Sequence, residues 1–323
     1  MMANARGALL LGAVAGLLVA APVVSPNDPA RQFAGHVNAP PMRPHVLDDG
    51  AVRRPFVYPV IVVDRLERRF EEDRARPIDL AFFTDGRVVS STDGPWLPLG
   101  GDPLGRDVFS RLLWGGRLSL GVALVAVVLT LILGGLAGAA AGFNSGPLDR
   151  AITAIADFVI VLPLIYVVVT LRAAMPPFLD TPTVFWTMAI VMALASWPVP
   201  ARGVRAIIAT EHQKAYAEAA YAVGGGPLRI LLRHLLPAAA GQLATHGILL
   251  FPAFIFAEAT LSFVGLGFAE PSASWGVMLQ DAARASAMVE APWLLSPAIA
   301  IVVTVLGARM LVAARRTEAT PFS

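Results

Sequence analysis

The chain contains no cysteine and a single lysine, Lys214, among 323 residues. Without thiols there is no disulfide framework, no thiolate metal site and no cysteine nucleophile. Because Lys214 follows Gln213, no Gly-rich loop ending in Gly-Lys-Ser/Thr can form. Any nucleotide-driven work therefore falls to another polypeptide. Charge is scarce too: 15% of residues are Asp, Glu, Lys or Arg, against about 25% in soluble domains. The sequence also lacks His-Glu-x-x-His, Gly-x-Ser-x-Gly and paired membrane aspartates, which removes the commonest hydrolase readings. His246 has no second histidine or carboxylate at ligand spacing beside it, so it reads as a helix–helix hydrogen-bonding group rather than a metal ligand.

What is abundant is apolar surface, 56% of residues, gathered into blocks. A bilayer-crossing helix needs about 20 predominantly apolar residues. Six segments qualify, approximately 7–24, 118–142, 152–172, 183–201, 244–267 and 293–313. The first also has the form of a signal peptide, with a small-residue exit near Ala20 and Ala21. A retained anchor is the preferred reading, since five remaining spans would place the termini on opposite sides. With the N-terminus inside, the short cytoplasmic segments carry Arg6, Arg150, Arg202, Arg205, Lys214, Arg229, Arg233, Arg309, Arg315 and Arg316, and the short outer loops only Arg172 and Arg284. That bias puts both termini in the cytoplasm. The formal net charge of +2 thus belongs to inner loops and predicts no nucleic-acid partner.

Within the spans, Gly134, Gly138 and Gly142 fall on one helical face, where they let backbones approach closely. Bundle packing is favoured over a pore-lining role. Pro163, Pro198 and Pro252 interrupt three spans and predict kinks. Residues 25–105 form a Pro-rich outer segment expected to be irregular. Asp64–Arg74 reads as a short charge-laced helix with Leu66 and Phe70 on one face. Asp85-Gly86 and Asp93-Gly94 are turn signals, the first of them a hairpin turn. The segment is either a small ordered cap or a docking surface for an external partner.

Between the fourth and fifth spans, Ala, Glu and Tyr alternate through Glu218-Ala219-Ala220 up to Gly224-Gly225-Gly226-Pro227, and the chain then continues to Leu236-Pro237. Ala and Glu favour a helix, Gly224 suits a left-handed cap and Pro227 suits the first turn of a new helix. The expectation is a helix, a sharp break, a second short helix and a stop at Pro237. Ala219 and Ala220 leave a flat patch for close packing of another protein. An interfacial amphipathic pair is the alternative.

These residues carry a resemblance. Glu218-Ala219-Ala220, three residues, Gly224 and a spacer ending in Leu236-Pro237 resemble the EAA loop of ABC importer permeases. Leu99-Gly100-Gly101-Asp102-Pro103-Leu104-Gly105-Arg106-Asp107-Val108-Phe109-Ser110-Arg111 resembles the segment leading into the second span of dipeptide/oligopeptide/nickel permeases. Glu258–Gly267 followed by Ser274-Trp275-Gly276 resembles that family's block near the end of the fifth span, and Asp157 through Pro163 fits as well. Together the blocks cover most of residues 99–313. The resemblance implies a type I importer permease that pairs with a second, homologous permease subunit. It also implies two ATPase subunits holding ATP and Mg, an extracytoplasmic solute-binding protein, and no cofactor in this chain. The role of ATPase-coupling loop passes to Glu218, Ala219, Ala220 and Gly224. His234 stands where the general motif often has isoleucine, though a His-hydrophobe-Leu-Pro ending resembles this subfamily. The chain departs from the pattern in its cytoplasmic N-terminus of about six residues and in His246 and Pro252.

The full expectation is an all-α polytopic protein of the bacterial inner membrane with six transmembrane helices. Residues 1–24 are the first helix, 25–105 the extracytoplasmic segment, 106–316 the permease core with a cytoplasmic coupling loop at 202–238, and 317–323 a tail. The function implied is import of di- or oligopeptides by alternating access. A nickel or other small-solute permease is the alternative within the class, and an ATP-independent channel or scaffold the alternative outside it. Asp157 and Glu258 are costly charges at membrane depth. They either line the path or anchor helix packing, and the packing reading is preferred.

Overall fold

The computed structural model describes residues 2–48, 51–64, 69–84, 86–144, 146–163, 166, 170, 176, 179–283 and 290–318, with side chains excepted at 2–5, 48, 51 and 312–318. The bundle is built from α1 (Met2–Val19), α3 (Val108–Phe143), α4 (Pro147–Val161), α5 (Thr181–Ser196), α6 (Pro198–His212), α9 (Leu236–Phe263) and α11 (Ser296–Glu318). Shorter pieces are α2 (Ala21–Val24), α7 (Ala215–Ala222), α8 (Pro227–Ile230) and α10 (Trp275–Ala283).

Among the described residues three helices are long and apolar enough to cross a membrane, Val108–Phe143, Pro227–Phe263 and Pro292–Leu311, with α5 and α6 a fourth pair bent by 47°. These coincide with the spans expected at 118–142, 244–267, 293–313 and 183–201. The first expected span falls on α1, whose apolar part, Arg6–Val19, is shorter than the about 20 residues a crossing helix needs. The span expected at 152–172 begins on α4, and its second half, with one arm of the Pro163 kink, lies mostly outside the described residues. The bend between α5 and α6 occurs where Pro198 and Pro200 enter the new first turn, where a missing N–H costs no helical bond.

Glycine decides how the central pair packs. A Cβ on Gly138 would run into the Ala201 carbonyl and Val204, and one on Gly142 would meet the Arg205 carbonyl and Ile208. Gly134 sits likewise against Pro200 and the Trp197 carbonyl. The stripe is the seam between α3 and α6, as the packing reading expected. At 36 residues, α3 is roughly 54 Å long at 1.5 Å per residue, well beyond a hydrocarbon core of about 30 Å. Its first turns therefore project into the structure at one end.

That end carries strands, which corrects the all-α expectation. The segment expected to be irregular folds as an antiparallel sheet of order β1-β2-β5-β6, from β1 (Pro44–Asp48), β2 (Ala51–Val57), β5 (Ile78–Thr84) and β6 (Arg87–Ser91). A separate hairpin pairs β3 (Val60–Asp64) with β4 (Arg69–Glu72). Thr84 pairs with Arg87 around the Asp85-Gly86 turn, although Asp85 itself is outside the described residues.

Where a helix is expected over Asp64–Arg74, Asp64 ends β3 and Arg69–Glu72 form β4, while residues 65–68, Leu66 among them, lie outside the described residues. Each i,i+4 charge pair is worth only about 0.2–0.5 kcal/mol, whereas burying one large apolar side chain contributes about 1.5–3 kcal/mol. The β-branched run Val60-Ile61-Val62-Val63 favours a strand, and Val60 and Phe70 close a small core with Ala39, Met42 and Leu97. Arg69 pairs with Glu71 at 2.9 Å, two residues along, as a strand's same-face period requires.

Opposite ends of the bundle are distinguishable by contacts. Gly7 near the start of α1 packs on Gly307 and Met310 of α11, so the first helix begins where the last one finishes. The strands, the start of α3 and the start of α11 share the other end.

Candidate functional site

At the end of the bundle away from the strands, the loop 213–235 forms a rigid knuckle. Helix α7 follows α6 after a tight turn, with Lys214 N–H donating to the Glu211 carbonyl and Lys214 Nζ to Glu211 Oε1 at 2.7 Å. Ala217 is fully buried and joins Ile208, Ile230, Leu235 and Ala239 in a common apolar cluster, which Ala220 and Phe143 border. That burial seats α7 on the ends of α3, α6 and α9. Glu218, Ala219 and Gly224 face outward. Gly224 has φ +83°, a left-handed conformation that a β-branched side chain resists. The reversal it makes lets Gly225 N–H donate to the Ala220 carbonyl at 2.9 Å. Around it Val223 and Leu228 are 86% and 67% exposed, apolar side chains presented at the knuckle's tip.

Past the knuckle the structure differs from expectation. No stop occurs at Pro237. Helix α8 runs through a π turn at Leu231–Leu235 straight into α9. Proline has no N–H and crowds the carbonyl four residues back, and the wider π turn accommodates this without breaking the helix. Leu236 and Pro237 thus open α9 ahead of the span expected at 244–267, with Leu236 packed against the knuckle's apolar cluster rather than on its outward face.

The strand-bearing end holds a second constellation, built on the Leu99–Arg111 block. The loop is clasped by the preceding chain: Gly101 N–H donates to the Ala39 carbonyl at 2.8 Å, and Phe33 N–H to the Gly105 carbonyl at 3.0 Å. Any Cβ on Gly101 or Gly105 would collide with the carbonyls of His36 or Phe33, which explains the glycines of this block by close approach. Asp107 caps α3, accepting from Phe109 N–H at 3.0 Å and Ser110 Oγ at 2.5 Å, and Asn27 Nδ2 donates to the same carboxylate at 3.0 Å. Burial pushes the Asp107 carboxyl up to about 6 against these hydrogen bonds.

Arg106 and Arg111, both buried, share three carboxylates. Arg106 Nε donates to Asp102 at 2.6 Å, and its two terminal nitrogens grip both oxygens of Glu270, one of them at 2.8 Å. Arg111 reaches Glu270 at 3.1 Å and Asp102 at 3.3 Å, and Asp281 lies 3.6 Å from Arg106. Burial would raise the Glu270 carboxyl, but the Arg106 hydrogen bond and the charges of Arg111 and Arg106 hold it below the usual range. Asp281 is pushed up to about 6, by burial first and then by the charge of Glu270. The sequence alone pointed to this block only through its resemblance. The two distant partners, Glu270 and Asp281, escaped notice. The signal available was the density of opposite charges at Asp102, Arg106, Asp107 and Arg111 among apolar residues.

The two carboxylates expected at membrane depth separate. Asp157 on α4 pairs with Arg202 on α6, both half-exposed. About one turn along α6, Arg205 clasps Asp149 with two hydrogen bonds of 2.5 and 2.6 Å, so α4 is held to α6 by two ion pairs. Glu258 is wholly buried and accepts from Ser262 Oγ, one turn on in α9, at 2.8 Å. Ser262 Oγ in turn accepts from Phe268 N–H at 3.1 Å. Close by, Trp275 N–H donates to Ser119 Oγ and its indole N–H to the Leu112 carbonyl, while Gly276 sits flush on Ala259 and Ser262. The Glu258–Gly267 and Ser274-Trp275-Gly276 blocks are therefore one knot joining α3, α9 and α10. His246 Nδ1 lies 3.0 Å from the Gln242 carbonyl of its own helix.

Apolar helices in a bundle with distinct ends make this a multi-pass membrane protein. The family described as "Binding-protein-dependent transport system inner membrane component" matches residues 131–315. Oligopeptide transport system permease protein OppC of Bacillus subtilis is 35% identical over 209 residues, 64% of this chain and 66% of that protein. A putative peptide permease protein of Brucella ovis is 33% identical over 264 residues, covering 75% of this chain and 85% of its own length. Glutathione transport system permease protein GsiD of Pectobacterium atrosepticum is 35% identical over 214 residues, 66% of this chain and 68% of that one. The chain belongs to the binding-protein-dependent transport system inner membrane component family.

Proposed function

We propose that this chain is a transmembrane permease subunit of an ATP-driven importer for di- or oligopeptides, working by alternating access. Its relatives carry peptide and glutathione transport in their printed names, and that supports the substrate class. The observation that carries the mechanism is the outward-facing knuckle of α7 and Gly224, seated on the ends of three bundle helices. A partner ATPase that packs against Glu218, Ala219 and Val223 moves α3, α6 and α9 together. A conformational change needs a free-energy difference between two states. ATP binding and hydrolysis on two partner subunits, which hold the ATP and Mg, supply it, and this chain performs no hydrolysis itself.

The reading has six spans and both termini in the cytoplasm. The packing of the start of α1 on α11 supports this, as does the clustering of Arg202, Arg205, Lys214, Arg229 and Arg233 at the knuckle end. The strand-bearing end then faces an extracytoplasmic binding protein, and a second, homologous permease completes the path.

Gly224→Val is the test. A β-branched residue at φ +83° costs roughly 1–2 kcal/mol in that conformation, and it deforms the knuckle while leaving the spans intact. The expected result is normal membrane insertion and a retained ATPase partner in gentle detergent, with peptide uptake cut at least tenfold. Uptake equal to wild type would remove the coupling role. Absence of an ATPase and a second permease from the tagged wild-type complex would remove the importer reading.

A further inference from the structure

A cleft of about 400 Å³ opens at the strand-bearing end between α3, the start of α5 and the loop after Glu270. Its volume falls in the range of small-molecule sites, about 300–1,000 Å³. Trp114, Arg117, Leu118 and Phe185 form its base and wall, with Thr181 and Ser272 at the side. The Arg117 guanidinium lies 4.8 Å from the centre of the Trp114 ring. Arg117 is exposed, and among the described residues it forms no ion pair. It is the last charged residue before the apolar run 118–142. An arginine at the edge of an apolar run favours a partner that answers its charge. Each of the other described arginines at this end of α3, Arg106 and Arg111, is buried in carboxylates; this one is presented to the cleft.

We infer that this cleft takes the carboxylate end of the imported solute, with Arg117 as its charge partner. The inference rests on the importer reading above. A guanidinium held over an indole face keeps its fork of donors free for two parallel bonds to a carboxylate. The Thr181 and Ser272 hydroxyls, 2.5 Å from each other, offer further hydrogen bonds, and Leu118 and Phe185 supply an apolar floor for a side chain. The anionic oxygen of a lipid headgroup would meet the same guanidinium. The solute carboxylate is favoured because the lining comes from four separate segments, Pro29 and Ala30 supplying the fourth, and includes hydroxyls.

The experiment compares uptake of trialanine and trialanine amide by the complete importer carrying Arg117→Gln or Arg117→Lys. A charge-assisted bidentate contact predicts that Arg117→Gln lowers trialanine uptake at limiting concentration about tenfold and changes amide uptake less than about twofold. Arg117→Lys, which keeps the charge and loses the fork, should recover only part of the loss. An equal fall for both peptides would overturn the inference in favour of a structural role. No change for either would overturn it in favour of a lipid phosphate or an unused cleft. A wild-type complex that neither imports nor binds either peptide would overturn the peptide reading itself, a result distinct from those two.

Discussion

Replacing Arg106 by glutamine removes the cation that three carboxylates share. In the wild type, two buried guanidinium groups face Asp102, Glu270 and Asp281, so the knot carries two positive charges against three negative ones. After the substitution Arg111 alone answers all three, from 3.3 Å to Asp102 and 3.1 Å to Glu270. Breaking a buried ion pair from one side typically costs about 3–5 kcal/mol. The lower end is expected here, because the Glu270 side chain is 36% exposed and rehydrates. At 2–4 °C per kcal/mol, this corresponds to a fall on the order of 10 °C in apparent melting temperature. Thermal unfolding of the detergent-purified chain, followed by tryptophan fluorescence at one fixed scan rate, measures it. The decisive comparison is Arg106→Gln/Glu270→Gln, which deletes one charge of each sign. The double variant should be less damaged than the sum of the singles, by about 1–3 kcal/mol. A fall of less than about 2 °C for Arg106→Gln, or strict additivity, would refute the reasoning.

Three further outcomes follow from the same geometry. Asp107 and Asp281 bind their protons more tightly folded than unfolded, since each is pushed up to about 6. Their contribution is fully present below the ordinary aspartate range and is lost as pH rises through about 6. Apparent stability should therefore rise between pH 7 and pH 5, and Asp281→Asn should flatten the profile. Glu270, held low, works the other way and takes effect only at still lower pH. Gly138→Val should separate α3 from α6, at a cost of about 1–3 kcal/mol or more for overpacking, seen as low yield of folded protein. Ala217→Glu should unseat the knuckle from its apolar cluster and release the ATPase partner from detergent extracts while leaving membrane insertion unchanged.

Much of the bundle was legible because membrane spans announce themselves by length and composition. The glycines at 134, 138 and 142 were legible for the same reason, since three of them on one face have few uses besides close packing. The knuckle could be placed from helix propensity, a cap glycine and a proline. The π turn ahead of Pro237 could not, because a proline near a span reads as a stop until the helix on both sides is seen. The strands were misjudged where two signals competed. The charges of Asp64–Arg74 fitted a helix, and the preceding β-branched run Val60–Val63 went unweighed. The charged knot was least legible of all. Arg106 and Arg111 are near in sequence, but Glu270 is 164 residues from Arg106, and only the return of the chain after α9 brings it there.

The strands also leave and re-enter the bundle at one point. Met42 N–H donates to the Leu97 carbonyl at 2.9 Å, and the Trp96 indole donates back to the Met42 carbonyl. The two ends of the strand-bearing excursion are thus tied together, and the excursion is seated on the body through Val60 and Phe70 against Phe33 and Ala39 and through Arg87, which donates to the Pro26 carbonyl. Closing a loop whose ends are fixed together costs little extra as the loop lengthens. This excursion can then be shortened, extended or exchanged without rerouting the first or second helix. The outer strands are, in effect, a variable fitting on a body that keeps its own geometry.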